Sequence, residues 1–319
     1  MRAEPRVSVV IPTVSRPRLV VRAVESTLAQ SMREIEVVVV IDGPDRMTAN
    51  ALEAIADPRL RVLKRPRRGG AGAARNEGAR AATAPWVAFL DDDDLWASEK
   101  LAIQLAAAEG SGLAHPIVTC RVAADDGERI RVWPRRLPAP GEPLGDYLLV
   151  RRSPFWGEAL VHTSTVLADR ALLEEVPFRE DLLVHEDMDW LLRATRVEGA
   201  SVVFVPGAEP LATWNIDRGR TRASRDLDWR ESLAWARHAR PLISRRAYAS
   251  FLLTWVAAHA ARRRDLTALW QLPREAIRHG RPRPRDFLLF MGVWLLPESL
   301  RTRAADAWGR GMGLPRDAE

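Results

Sequence analysis

The sequence predicts an α/β protein with a doubly wound, mostly parallel sheet flanked by helices, extended at its C-terminal end by helices alone. Three observations carry this reading. Apolar runs of strand length alternate with amphipathic stretches over most of the chain, the pattern of successive βα units. The runs at 7–11, 35–41 and 86–90 are nearly continuous in apolar residues, as strands buried on both faces are. Beyond about Asp226 strand signals stop and helical periodicity continues to the end.

Taken in order, residues 7–11 form the first strand, closed by Pro12. Ser15 is the expected cap of the next helix, with Pro17 in its first turn. Leu19, Val20, Ala23, Val24, Thr27 and Leu28 recur at helical spacing and give that helix one apolar face. Residues 35–41 are a second strand ending in Asp42–Gly43, followed by a short helix at 48–56 and a third strand at 60–63. The segment 69–78 reads as a glycine-rich turn entering an alanine-rich helix that runs to about Ala82. Strand four is 86–90, Ser98 is the expected cap of the following helix, and 117–122 is a fifth strand. The region 134–143 is rich in breakers. A returning strand is expected at 162–168, a helix at 171–176, a helix opening at His185, and short strands at 201–205 and 211–214. Helices follow at 228–239, 248–262, 266–278 and 287–301. The boundary between a catalytic domain, 1–225, and a helical region, 226–319, falls where the pattern changes.

Composition narrows the function classes. The hydrophobic share of 47% and charged share of 28% suit a globular chain with a sizeable core. The net charge of +6 comes almost wholly from arginine, since Lys64 and Lys100 are the only lysines. No nucleic-acid-binding motif accompanies it, so coding bias accounts for it better than a nucleic-acid partner. A single Cys120 excludes an internal disulfide framework and fits a reducing compartment. Residues 1–6 lack a signal-peptide pattern, and no run reaches the ~20 apolar residues of a membrane span. The expectation is a cytoplasmic protein. The stretch 287–296 is apolar all round and lies between arginine-rich segments. It either packs on protein, including a second copy of the chain, or lies peripherally in a membrane interface.

The stretch 86–96 organises the rest. Its apolar run ends abruptly in Asp91, Asp92, Asp93 and Asp94. Four adjacent acids cannot be buried in a sheet, so they sit at a strand's carboxyl end, where open α/β sheets bind ligands. Clustered carboxylates repel each other and call for a positive partner. A hard divalent cation, Mn²⁺ or Mg²⁺, bridging to phosphate oxygens meets that need, and an acidic helix-capping loop is the plainer reading. Gly69–Gly72 allows close backbone approach to a ligand but is neither a Walker loop nor a dinucleotide fingerprint.

Five motifs follow one another along the chain: strand–Pro12–Thr13; strand–Asp42–Gly43; the glycine run followed by Ala74–Arg75–Asn76; Phe89–Leu90 with the four aspartates and Leu95–Trp96; and Glu186–Asp187–Met188–Asp189 with Arg193. In this order, over roughly residues 7–220, they resemble the family 2 glycosyltransferases of GT-A fold. The resemblance implies transfer of a sugar from a nucleotide diphosphate donor (UDP-, GDP- or dTDP-linked) to an acceptor, with inversion and a divalent metal. It implies donor contacts from Pro12, Thr13, Arg16, Asp42, Arg75, Asp91 and Asp92, metal ligation by Asp93 and Asp91, and Asp187 as catalytic base. Glu186 and Trp156 are placed at the acceptor or in support of the base, and Gly157 and His162 near the same pocket. Trp214 and the arginines 218, 220 and 222 fall where the family carries a loop near the pyrophosphate, although no histidine follows Trp214. A nucleotidyltransferase shares many of these features but places its glycine-rich loop after strand one, whereas here it follows strand three. A non-catalytic nucleotide-sugar binder would have no reason to keep both acidic motifs.

Overall fold

The structure, a computed structural model, describes residues 4–153, 157–216 and 228–296. The chain divides into two compact units. The first comprises 1–137 with 160–221, the second 138–159 with 222–319.

In the first unit the strands are β1 (Val7–Thr13), β2 (Ile35–Ile41), β3 (Leu60–Lys64), β4 (Trp86–Phe89), β5 (Leu95–Trp96), β6 (His115–Thr119), β7 (Val122–Asp125), β8 (Ile130–Trp133), β9 (Leu167–Asp169), β10 (Ala200–Phe204) and β11 (Ala212–Asn215). Seven of them form one sheet in the order β10-β6-β9-β4-β1-β2-β3. All neighbours are parallel except β9, which runs antiparallel to both β4 and β6. Its helices are α1 (Pro17–Leu28), α2 (Arg46–Glu53), α3 (Gly70–Ala81) and α4 (Lys100–Glu109).

The apolar runs behave as their composition requires. All seven residues of β2 are buried, Glu36 among them. Its carboxylate accepts hydrogen bonds from Ser8, Thr83 and Arg61, so the charge is not left alone in the sheet. α3 lies close on β1 and β2. A side chain at Gly78 would stand 2.3 Å from Val10 Cγ1, so only glycine lets the helix sit there.

Five local expectations change. α1 begins at Pro17 with no side-chain cap, and Ser15 instead takes a left-handed conformation (φ 55°) with its N–H donated to Asp45. α4 is preceded by Glu99, and Ser98 supplies no cap. The glycine-rich segment is not a separate turn, because Gly70 already opens α3. The expected strand at 117–122 is two strands in different sheets. β6 ends at Thr119, and β7 joins a small second sheet of order β5-β11-β7-β8. The returning strand is also shorter than expected. Thr163–Thr165 form a 3₁₀ turn before β9.

The second unit is helical: α5 (Leu144–Leu149), then α8 (Trp229–Ala239), α9 (Arg245–Phe251), a π-helical turn (Leu252–Val256), α10 (Ala257–Arg262), α11 (Ala268–His279) and α12 (Pro284–Leu295); α6 (Arg170–Glu175) and α7 (Glu186–Ala194) belong to the first. Tyr147, Trp229, Tyr248, Phe251 and Leu272 are buried in its core. Arg246 pairs with the buried Asp286 and so ties α12 to α9. The stretch 287–296, apolar all round in the sequence, is unevenly buried within the chain. In α12 Phe290 is buried, whereas Leu288 is 73% and Leu295 69% exposed. Residues 297–301 of that expected helix lie outside the described residues. Among the described residues no helix is long and apolar enough to cross a membrane.

Candidate active site

Sheet register brings the motifs together. β1 lies between β2 and β4, with Val10 opposite both Val38 and Phe89. The carboxyl end of β1 is therefore flanked by Asp42 on one side, whose N–H donates to the Thr13 carbonyl, and by the four aspartates on the other.

The aspartates have separate surroundings. Asp92 is buried, accepting from Thr13 Oγ1 at 2.7 Å and from Arg16 Nη1 at 2.9 Å. Burial pushes its carboxyl up to about 6 against the pull of Arg16 and Thr13. Asp93 is 3.2 Å from the same Arg16 nitrogen. Burial disfavours the Arg16 charge, but Asp92 and Asp93 outweigh it and its pKa is raised. Asp94 is buried, accepting from Ser164 Oγ at 2.6 Å and from the Asn215 N–H at 3.2 Å. Burial, with Asp91 and Asp93 nearby, holds its carboxyl well above the usual range. Asp91 goes the other way, because Arg75 and His162 more than offset its desolvation.

Arg75 is 3% exposed and joins the two acidic motifs. Nη2 lies 2.7 Å from Asp91 Oδ1 and Nη1 lies 2.8 Å from Glu186 Oε1, while the guanidinium faces the Phe178 ring at 5.7 Å. Both terminal nitrogens are thus engaged by carboxylates. Glu186 opens α7, where His185 turns the chain through φ 63°. Burial and the neighbouring Asp187 raise the Glu186 pKa despite Arg75. Asp187 caps the Met188 N–H through Oδ1 at 2.7 Å, and Oδ2 has a long 3.4 Å contact from Thr163 Oγ1.

Asp42 accepts from Gly69 N, Gly70 N and Arg65 Nη1 at 2.9, 2.9 and 2.6 Å. Its carboxylate fastens the start of α3 to the sheet, where helix N–H groups lack partners. A carboxylate offers about four acceptor sites, so one remains for a ligand donor. Pro12 precedes Thr13 on the same strand. Trp156, and the arginines at 218, 220 and 222, lie outside the described residues.

Ser164 and Asn215, not expected from the sequence, complete the edge, with His162 and Trp214, which the resemblance placed near it. Ser164 donates to Asp94 and accepts from the Asp91 N–H, and Asn215 reaches Asp94 from β11. His162 stacks on Trp214 with ring centroids 4.6 Å apart, and burial lowers its pKa. Ligand atoms of Asp91, Asp94 and His162 lie within 4.8 Å of one another. The carboxylate oxygens suit Mn²⁺ or Mg²⁺, and the imidazole nitrogen favours Mn²⁺ of the two. Asp91 is in this group as expected, whereas Asp93 faces Arg16.

The sequence model of glycosyl transferase family 2 matches residues 8–176, more than half of the chain. The chain belongs to glycosyltransferase family 2. Over 249 residues the transferase is 28% identical to the amylovoran biosynthesis glycosyltransferase AmsB of Erwinia amylovora, covering 75% of this chain and 79% of AmsB. It is 36% identical to the succinoglycan biosynthesis protein ExoO of Rhizobium meliloti over 129 residues, 40% of this chain and 37% of ExoO. Among solved structures, S. aureus TarS 1–349 in complex with UDP-GlcNAc superposes with a TM-score of 0.57 at 18% identity, covering 98% of the transferase and 94% of that chain. The mannosyltransferase PcManGT from Pyrobaculum calidifontis, in complex with GDP-Man and Mn²⁺, gives 0.50 at 19% identity, covering 98% and 77%. These structures establish the GT-A-type fold of the transferase.

Proposed function

We propose that the transferase moves a sugar from a nucleotide diphosphate donor to an acceptor hydroxyl with inversion, Asp187 acting as general base. The observation that carries this reading is the Arg75 bridge, which holds the strand-end aspartates and the Glu186–Asp187 pair at one sheet edge. The donor class follows from the family and from the nucleotide sugars bound by its structural relatives. In the step, the acceptor oxygen attacks the anomeric carbon, the bond from that carbon to the β-phosphate oxygen breaks, and the nucleoside diphosphate leaves. The hydroxyl proton passes to a carboxylate oxygen of Asp187. Oδ2 suits this, since among the described residues only the long Thr163 contact occupies it.

Asp91, Asp94 and His162 would hold a divalent ion, with Asp93 beside them once Arg16 gives way. Such an ion supplies neutralisation of the charge that develops on the departing diphosphate. Thr13 and Arg16 at the end of β1, with Asp42, border the volume for the nucleotide in this reading. A single, buried cysteine, Cys120, is compatible with a cytoplasmic reaction.

A panel of nucleotide sugars, assayed for nucleoside diphosphate release with and without Mn²⁺ or Mg²⁺, tests the whole. The expected result is release with one donor class and its loss on chelation. Asp187→Asn keeps the side-chain shape, and we expect turnover to fall at least ~10²-fold with donor affinity largely retained. Collapse of donor affinity with an unchanged rate at saturation would remove the base assignment. Asp93→Ala in a folded protein with near-normal metal-dependent turnover would remove Asp93 from the ion site and leave Asp91, Asp94 and His162.

A further inference from the structure

We infer that the helical unit carries a second anion site, built for a phosphate or diphosphate group and independent of the proposed catalytic edge. A surface cleft of about 870 Å³, open to solvent, lies between the C-terminal ends of α8 and α11 and the start of α9. That volume is within the ~300–1,000 Å³ usual for small-molecule sites. Arg237, Arg240, Arg245 and Arg278 line it together with His238 and His279.

The charge balance within the cavity is one-sided. Glu275 is bound by Arg237 at 2.9 and 3.0 Å and by the Tyr248 hydroxyl at 2.8 Å, so one carboxylate holds one of the four guanidinium groups. Asp146 accepts from Ser244 on another side. Arg245 donates to the Gly280 carbonyl at 3.2 Å, a neutral acceptor. Arg240 faces the Tyr248 ring at 5.7 Å and has no carboxylate partner among the described residues. Arg278 has no hydrogen-bond or ion-pair partner among them.

Helix dipoles account for a basic residue in the last turn of α8 or of α11. They do not account for both ends meeting at one cavity with two guanidinium groups uncommitted. Guanidinium forks match phosphate oxygens in geometry and charge, and several at one concave site select a multiply charged phosphate over a single carboxylate. The phosphate could sit on a soluble molecule or on a lipid headgroup. Next to Arg278 on α11, Ile277 is 61% exposed, and Trp270 on the same helix is 83% exposed.

Calorimetric titration of the full-length protein with inorganic pyrophosphate tests the site. We expect saturable binding that weakens at least ~10-fold in Arg240→Gln/Arg278→Gln, the loss of about one charge-assisted contact's worth of affinity. Nucleoside diphosphate release should be unchanged in that variant. Arg278→Gln alone removes no partner in the folded chain and is the control against misfolding. Co-sedimentation with phosphatidylcholine vesicles doped with phosphatidic acid, against pure phosphatidylcholine, distinguishes the source. Sedimentation competed by pyrophosphate and lost in the variant assigns a lipid phosphate, whereas pyrophosphate binding alone assigns a soluble one. No pyrophosphate binding, or equal binding by the wild-type protein and the folded variants, overturns the inference.

Discussion

Arg75 shows how one side chain joins two motifs. Its residue type was legible as an anion binder, but its partners, Asp91 and Glu186, are 16 and 111 positions away in the chain. Removing one member of a buried ionic triad typically costs about 3–5 kcal/mol, because the remaining charges stay buried without compensation. We therefore expect Arg75→Ala to lower the melting temperature markedly. Arg75→Lys should fold, yet lose the two-pronged geometry, so kcat should fall more than donor KM rises. Unchanged kcat in Arg75→Lys would mean that the bridge serves stability only. Lys100 offers a second test. It is fully buried over the Trp96 ring and bonded to Gln104, and burial lowers its pKa to about 8. Because its ordinary value is 10.5, above pH 8 the folded chain releases the proton while the unfolded chain keeps it. Stability contributed by this group therefore rises with pH through that window, by about 1 kcal/mol between pH 8 and 9. Denaturant melts of the wild-type protein and Lys100→Met should differ in slope by that amount, and parallel pH profiles would contradict the shift.

At the scale of elements, the parallel strands and their helices were readable because each is long, apolar and separately patterned. The small second sheet was readable only in part. Its β11 answers the short strand expected at 211–214, but β5 has two residues, too few for alternation to register, and β7 was fused with β6 in a single apolar run. These are the elements that bring Asn215 and Trp214 to the aspartates. The seat of α3 gives an element-scale prediction. Gly78→Ala would press its methyl to 2.3 Å from Val10 Cγ1 and 3.2 Å from Val40 Cγ2. Overpacking of this kind costs about 1–3 kcal/mol, and both valines are fully buried in β1 and β2, which leaves their side chains little room to yield. A melting temperature equal to that of the wild-type protein would show that α3 moves off the sheet freely.

For the whole molecule, the change from strand to helix signals near Asp226 points to two parts, and in the structure 138–159 belongs to the helical one. Its α5 is held there by packing of Gly145 against Ile243 and by the Ser244 hydroxyl on Asp146, with Tyr147 fully buried. A fragment of residues 1–225 would then expose Tyr147 and Leu149. We expect it to aggregate or to melt without cooperativity, and replacement of 138–159 by a short glycine–serine linker in that fragment to restore a cooperative transition. Cooperative, soluble behaviour of the uncorrected fragment would show that α5 does not depend on the later helices.

The sequence by itself determined the parallel sheet, the strand ends that carry Thr13, Asp42 and the aspartates, and the family, because apolar runs and strand-end chemistry are local and keep a fixed order along the chain. Tertiary structure alone decided which carboxylate meets which cation. Arg16 reaches Asp92 and Asp93, Arg75 joins Asp91 to Glu186, and Asp94 meets Ser164 and Asn215. Adjacent aspartates in a turn point in different directions, and their partners come from elements far away in sequence. No spacing rule encodes those meetings; burial and the register of the sheet do.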